Sequence, residues 1–239
     1  MNLIKTYVNQ EEFSVPKMLV GVLLSAVWAY VFAFVYGVLM GMSPLIYINF
    51  LITCFFALVL SVGVAIISRV IKNTSKKTEL LMSGVAVIMG LCFSWAAYFL
   101  YLIDSNAIFE NYFQHFLLVT EPLLLIENLI GANENGLWSI FGIPFKGTVL
   151  WLVWLLEAGI IIFISMVNTS KRAIMPYSSK NKAWYKKHIL YKDFATIVMQ
   201  DDFCAALAEN CEETIENLEL GKAYHYARIS IYYLEGEIQ

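Results

Sequence analysis

The sequence predicts an α-helical integral membrane protein. We expect four transmembrane helices, both termini in the cytoplasm, and a small cytoplasmic α+β domain at the C-terminal end. Three observations predict it. The 51 residues between Lys17 and Arg69 include no charged side chain and are interrupted only by Gly41-Met42-Ser43-Pro44. A charge at the bilayer centre costs about 2.5–3.5 kcal/mol, and roughly 20 apolar residues cross the hydrocarbon as a helix, so this run holds two spans and a tight turn. The chain is 59% hydrophobic and 15% charged, with a mean hydropathy of +0.66, against roughly 25% charged residues in a soluble domain. Finally, Lys and Arg are segregated along the chain rather than mixed with Asp and Glu.

Residues 1–17 form the cytoplasmic N-terminus. The first apolar stretch has the length of a full span and no A-x-A site follows it, so it is expected to stay as an uncleaved anchor. The spans fall at about 18–41, 46–68, 80–103 and 148–168. Loop 69–79 holds Arg69, Lys72, Lys76 and Lys77, and the stretch after the fourth span holds Lys171, Arg172, Lys180, Lys182, Lys186, Lys187 and Lys192. Segment 104–147 has Lys146 alone against Asp104, Glu110, Glu121, Glu127 and Glu134. The positive-inside rule places both basic segments in the cytoplasm and 104–147 outside. Arg69, Lys72, Lys76, Lys77, Lys171 and Arg172 are the expected contacts to an anionic inner leaflet. Asn73-Thr74-Ser75-Lys76-Lys77 and Asn168-Thr169-Ser170-Lys171-Arg172 resemble each other as helix exits facing one side, more simply than as a duplication, since the similarity fades upstream.

In the first span small residues recur at every fourth position: Gly21, Ser25, Ala29, Ala33, Gly37 and Gly41. Lipid provides no hydrophobic force between helices, so association relies on the close backbone approach that small residues permit. Packing inside one bundle is the plainer use of the stripe and a subunit interface the other. Ala57/Ser61/Ala65 and Ala86/Gly90/Ser94 are shorter versions. The apolar centre of 104–147 predicts a helix over 120–131, with Thr120 as cap and Pro122 in its first turn. It lies at the outer interface, the simpler placement, or dips re-entrantly into the bundle.

Glu157 is the one charged residue inside a predicted span, and that makes it the intramembrane functional candidate. Burial favours its neutral acid. It is then a structural hydrogen-bonder to Asn49, Thr53, Ser94 or Tyr98, part of a proton or cation path, or the mate of a basic residue on another subunit.

Residues 169–239 form the cytoplasmic domain. Its first half is basic, with Trp184 and Tyr185 among lysines, which suits lipid headgroups better than nucleic acid right after a span. Its second half is acidic. A helical stretch over Phe194–Leu220, in two segments, precedes a strand over 226–234 that needs a partner, either around Ala183–Leu190 or on another chain. His188, His225 and His115 have no ligand-spaced companions and read as surface residues, so no metal and no cofactor are expected. Four cysteines without a C-x-x-C pair agree.

No P-loop, G-x-S-x-G, H-E-x-x-H or dinucleotide fingerprint is present, so the chain reads as no enzyme. The expected function is a multi-pass anchor or assembly subunit in a bacterial cytoplasmic (inner) membrane, presenting its C-terminal domain to a partner. Its contacts would be the bilayer, a protein partner, or a second copy through the stripe and the terminal strand. The alternative is a small oligomeric channel or transporter subunit with Glu157 in its path.

Overall fold

The computed structural model describes residues 13–43, 45–103, 115, 118–136, 139–140, 143–172, 175–178, 181–189, 191–221, 226–227 and 230–234. It divides into two units, Glu12–Ala173 and Ile174–Gln239 with Met1–Glu11.

Four helices of the first unit are long and apolar enough to cross a membrane: α1 (Val15–Met42), α2 (Ile46–Val70), α3 (Lys76–Ile103) and, after the shorter α4 (Pro122–Asn135), α5 (Thr148–Lys171). Each matches a span read from the sequence and runs up to four residues past it, because polar ends complete a helix after its apolar stretch stops. Pro16 opens the first turn of α1. At the end of α2, Lys72 takes a left-handed conformation (φ 54°) and the Asn73 amide donates to Ser68 O at 2.8 Å, closing the last turn. Ser75 then caps α3, its hydroxyl accepting from the Thr78 amide at 3.5 Å. The two Asn-Thr-Ser segments therefore do different work: the first links two helices, whereas Asn168-Thr169-Ser170 is still helical.

Helices α2 and α3 contact each other, and α1 and α5 each pack against that pair from opposite sides. The α1 stripe is spent on α3. Gly21, Ser25, Ala29, Ala33 and Gly37 are buried, and a Cβ placed on Gly37 would strike the Ser94 carbonyl and lie 2.7 Å from Ala97 Cβ. Against α2, the Trp28 indole lies over Gly63 and donates to Val59 O at 3.1 Å. Leu60, Val64, Met82 and Ile161 fill the centre, while Leu23, Phe55, Leu155 and Phe163 point outward. That outward apolar coat is what a bilayer-facing surface requires.

Helix α4 starts at Pro122 and ends at Asn135, so Gly131 lies within it. The helix runs on past Gly131 to Asn135, whose side-chain amide turns back to donate to the Gly131 carbonyl at 2.8 Å. Strands β1 (Ser139–Ile140) and β2 (Ile143–Pro144) make a short hairpin before α5.

In the second unit β3 (Tyr177–Ser178) pairs antiparallel with β4 (Ala183–Trp184), with the Tyr177 and Trp184 rings 4.9 Å apart. Strand β5 (Lys186–Ile189) pairs antiparallel with β6 (Ser230–Tyr233), Lys186 facing Tyr233 and Ile189 facing Ser230. Of the two partners open to the terminal strand, the intramolecular one is taken. Between them lie α6 (Gln200–Glu209) and α7 (Cys211–Glu216). Residues 194–199 are not helical, contrary to the sequence expectation. Phe194 instead exchanges backbone hydrogen bonds with Ala227, at 3.0 and 2.7 Å, and bridges to Leu220. Those pairings satisfy the backbone that a longer helix would have used.

Candidate functional site

Glu157, on α5, is hydrogen-bonded through Oε1 to the hydroxyl of Tyr36, a residue of α1 that sequence reading did not name. The Tyr36 hydroxyl also lies 3.0 Å from Thr53 Oγ1 on α2, and Thr53 donates to the Asn49 carbonyl at 2.9 Å. Tyr36 is held flat against Phe56, with ring centroids 4.3 Å apart and planes 7° from parallel. Its hydroxyl thus reaches between α2 and α3 to a helix that α1 otherwise scarcely meets. Two of the four partners expected for Glu157 join this chain, Thr53 through Tyr36 and Asn49 through its backbone. Ser94 does not, since it turns back to Leu91 O at 2.9 Å.

Glu157 heads a polar seam between α2 and α5. Ser165 donates to Ala57 O at 2.9 Å, Asn168 to Ser61 Oγ at 2.6 Å and Arg172 to Ser61 O at 3.1 Å. The α2 positions are spaced by four, as are Glu157, Ile161, Ser165 and Thr169 on α5, so each set lines one face. Fully buried Ile161 interrupts the seam, and by helical rise Glu157 lies about 12 Å from Ser165.

The seam ends in a charged knot. Glu79 is only 3% exposed and accepts from Lys76 at 3.2 Å and Arg172 at 3.4 Å. Lys76 also donates to Arg172 O at 2.7 Å and to Thr169 O. Thr169 pairs with Ser83 at 3.1 Å. Of the six cations expected to face headgroups, Arg69, Lys72, Lys77 and Lys171 are exposed, whereas Lys76 and Arg172 are turned inward on Glu79. Glu79 escaped the sequence reading, although its position three residues after Lys76 was a signal.

His115 is no surface residue, which corrects the expectation for it. It is 0% exposed and sits between α1 and α3. Its Nε2–H donates to Phe93 O at 2.8 Å, which leaves Nδ1 to accept from the Tyr30 hydroxyl at 3.2 Å. Phe34 meets the ring edge-on at 5.3 Å. Burial pushes the imidazole below its usual pKa, and the bond to Phe93 O acts the other way. Leu118 and Val119 follow it into the same cleft, against Phe34, Ala97 and the central cluster. The described residues His115, Leu118 and Val119 thus pack against the helices.

Among the described residues no three His, Cys, Asp or Glu side chains gather as metal ligands would. Comparison with known proteins finds no matching family, no matching curated protein and no matching solved structure.

Proposed function

We propose that this chain is a multi-pass membrane anchor or assembly subunit, with both termini in the cytoplasm, whose C-terminal unit docks a protein partner. The contrast within that unit supports the reading best. Among its described residues only Phe194 and Leu234 are buried large apolar side chains, whereas Tyr191 is 96% exposed and Val198 88%, with Met199, Leu220 and Ile189 open as well. A unit of this size with so small a core is marginal alone, and a bound partner stabilises it. The polar groups of the helical unit, by contrast, largely satisfy one another, as in a scaffold.

Crosslinked affinity purification from native membranes tests the proposal. A stoichiometric second protein that is lost on deleting residues 223–239 and kept in Glu157→Gln is the expected result. A homo-oligomer without companion, with ion or proton flux abolished by Glu157→Gln, would overturn it in favour of the channel or transporter reading. One observation favours that second reading: the Glu157–Tyr36–Thr53 chain runs toward Asn49, in the first turn of α2. Against it stands the apolar step at Ile161.

A further inference from the structure

We propose that Glu157 is a proton-binding site, occupied at neutral pH, at which the glutamic acid hydroxyl donates to Tyr36 and fixes the direction of the whole chain. The number of protons in the chain requires it. Three contacts join Glu157 Oε1, Tyr36 Oη, Thr53 Oγ1 and the Asn49 carbonyl. Each contact needs one proton between its two oxygens. The Asn49 carbonyl brings none, and Thr53 and Tyr36 bring one each. The third is available only from Glu157. With that proton the order is Glu157 to Tyr36, Tyr36 to Thr53, and Thr53 to Asn49, each donor used once. Without it Tyr36 turns its hydrogen to the carboxylate, and one of the two remaining contacts becomes oxygen against oxygen with nothing between.

The surroundings agree. On α5 Glu157 is flanked by Leu156 and Ala158, with buried Trp154 and Ile161 one turn away on either side, so its own helix offers it no charge. The other titratable groups acting on the cluster are Tyr98 of α3 and Cys54 of α2, and no cation among the described residues compensates a carboxylate there. The inference holds whether the chain is an anchor or a conductor, because occupancy by a proton does not require its passage.

Infrared spectroscopy of the full chain in phosphatidylcholine vesicles at pH 7 tests it. An ordinary glutamate, with a pKa of about 4.3, is protonated in about one molecule in 500 at that pH. The wild type should show the full carbonyl stretch of one protonated carboxyl, several hundred-fold above what an ordinary glutamate would give, and Glu157→Gln should lack it. Tyr36→Phe keeps the acid but removes its acceptor, so the same band should persist and move to higher frequency. Wild-type and Glu157→Gln spectra that superimpose in this region would overturn the proposal. If Glu157→Gln does not assemble, the Tyr36→Phe comparison decides alone, and an absent or unshifted band overturns it equally.

Discussion

Gly37→Ala should loosen the α1–α3 contact, and the structure sets the size of the effect. The added methyl would strike the Ser94 carbonyl, lie 2.7 Å from Ala97 Cβ and lie 3.0 Å from the Tyr98 amide nitrogen. Two of the three obstacles are backbone, so no rotamer change relieves them. Helix α1 must withdraw by about 1 Å, and a gap of that size forfeits a quarter to a half of each dispersion contact nearby. Overpacking of this kind costs about 1–3 kcal/mol, and the rigid obstacles place Gly37→Ala near the upper figure. Gly159→Ala is the matched control on α5, where an added Cβ meets nothing within 4 Å. Replacing a helical glycine there should be neutral or gain up to about 1 kcal/mol. The same chemical change should therefore have opposite signs at the two positions, about 3 kcal/mol apart. Unfolding in mixed micelles with increasing dodecyl sulfate, followed by tryptophan fluorescence, measures both. Equal midpoints for the two variants would refute the packing argument.

Two further predictions concern the buried charges. Glu79→Gln keeps the shape but removes the charge shared by Lys76 and Arg172. Those cations are 23% and 27% exposed, so solvent screens part of the loss, and destabilisation of about 1–2 kcal/mol is expected by the same unfolding assay. An unchanged midpoint would show the knot to be idle. For His115, burial lowers the folded pKa while the unfolded imidazole titrates near 6.5, so the unfolded chain binds more protons below that pH. Its contribution is complete above about pH 6.5 and is lost as the pH falls toward the folded value. Unfolding midpoints at pH 7.5 and 5.5 should diverge in the wild type and converge in His115→Gln, and parallel profiles would contradict this.

The four long helices were legible because their limits are written in single residues: charges at one end, the Gly41–Pro44 turn or the Gly147-Thr148 start at the other. The stripe was legible as a packing face, but not its mate, since the close approach that Gly37 permits serves a helix of the same bundle or of another subunit alike. Tyr36 was not seen as the mate of Glu157, although depth could have suggested it. Tyr36 lies six residues before the end of α1, Thr53 seven after the start of α2 and Glu157 nine after the start of α5. With a rise of about 1.5 Å per residue, all three sit at nearly one level. Composition disguised the tyrosine as one more aromatic. His115 was illegible for another reason. Nothing in 104–147 fixes where a polar loop turns inward, because the Phe93 carbonyl that receives the imidazole is backbone and leaves no mark in sequence. In the second unit, the β5–β6 pairing could be anticipated from alternation, whereas the diversion of Phe194 into a bridge with Ala227 depended on residues more than thirty positions away.

The link from Tyr36 to Glu157 also bears on how the protein is made. Ribosomes deliver the chain from its N-terminus, so α1 and α2 exist before α5 leaves the exit tunnel. The Tyr36–Thr53 pair is then a finished receptor for the carboxyl of a nascent helix. On the membrane reading, a span that brings an acid into lipid does not wait for a later subunit to shelter it. It meets its shelter on arrival, and a Tyr36→Phe chain should show its defect first as slow or incomplete insertion of α5, before any loss in the mature protein.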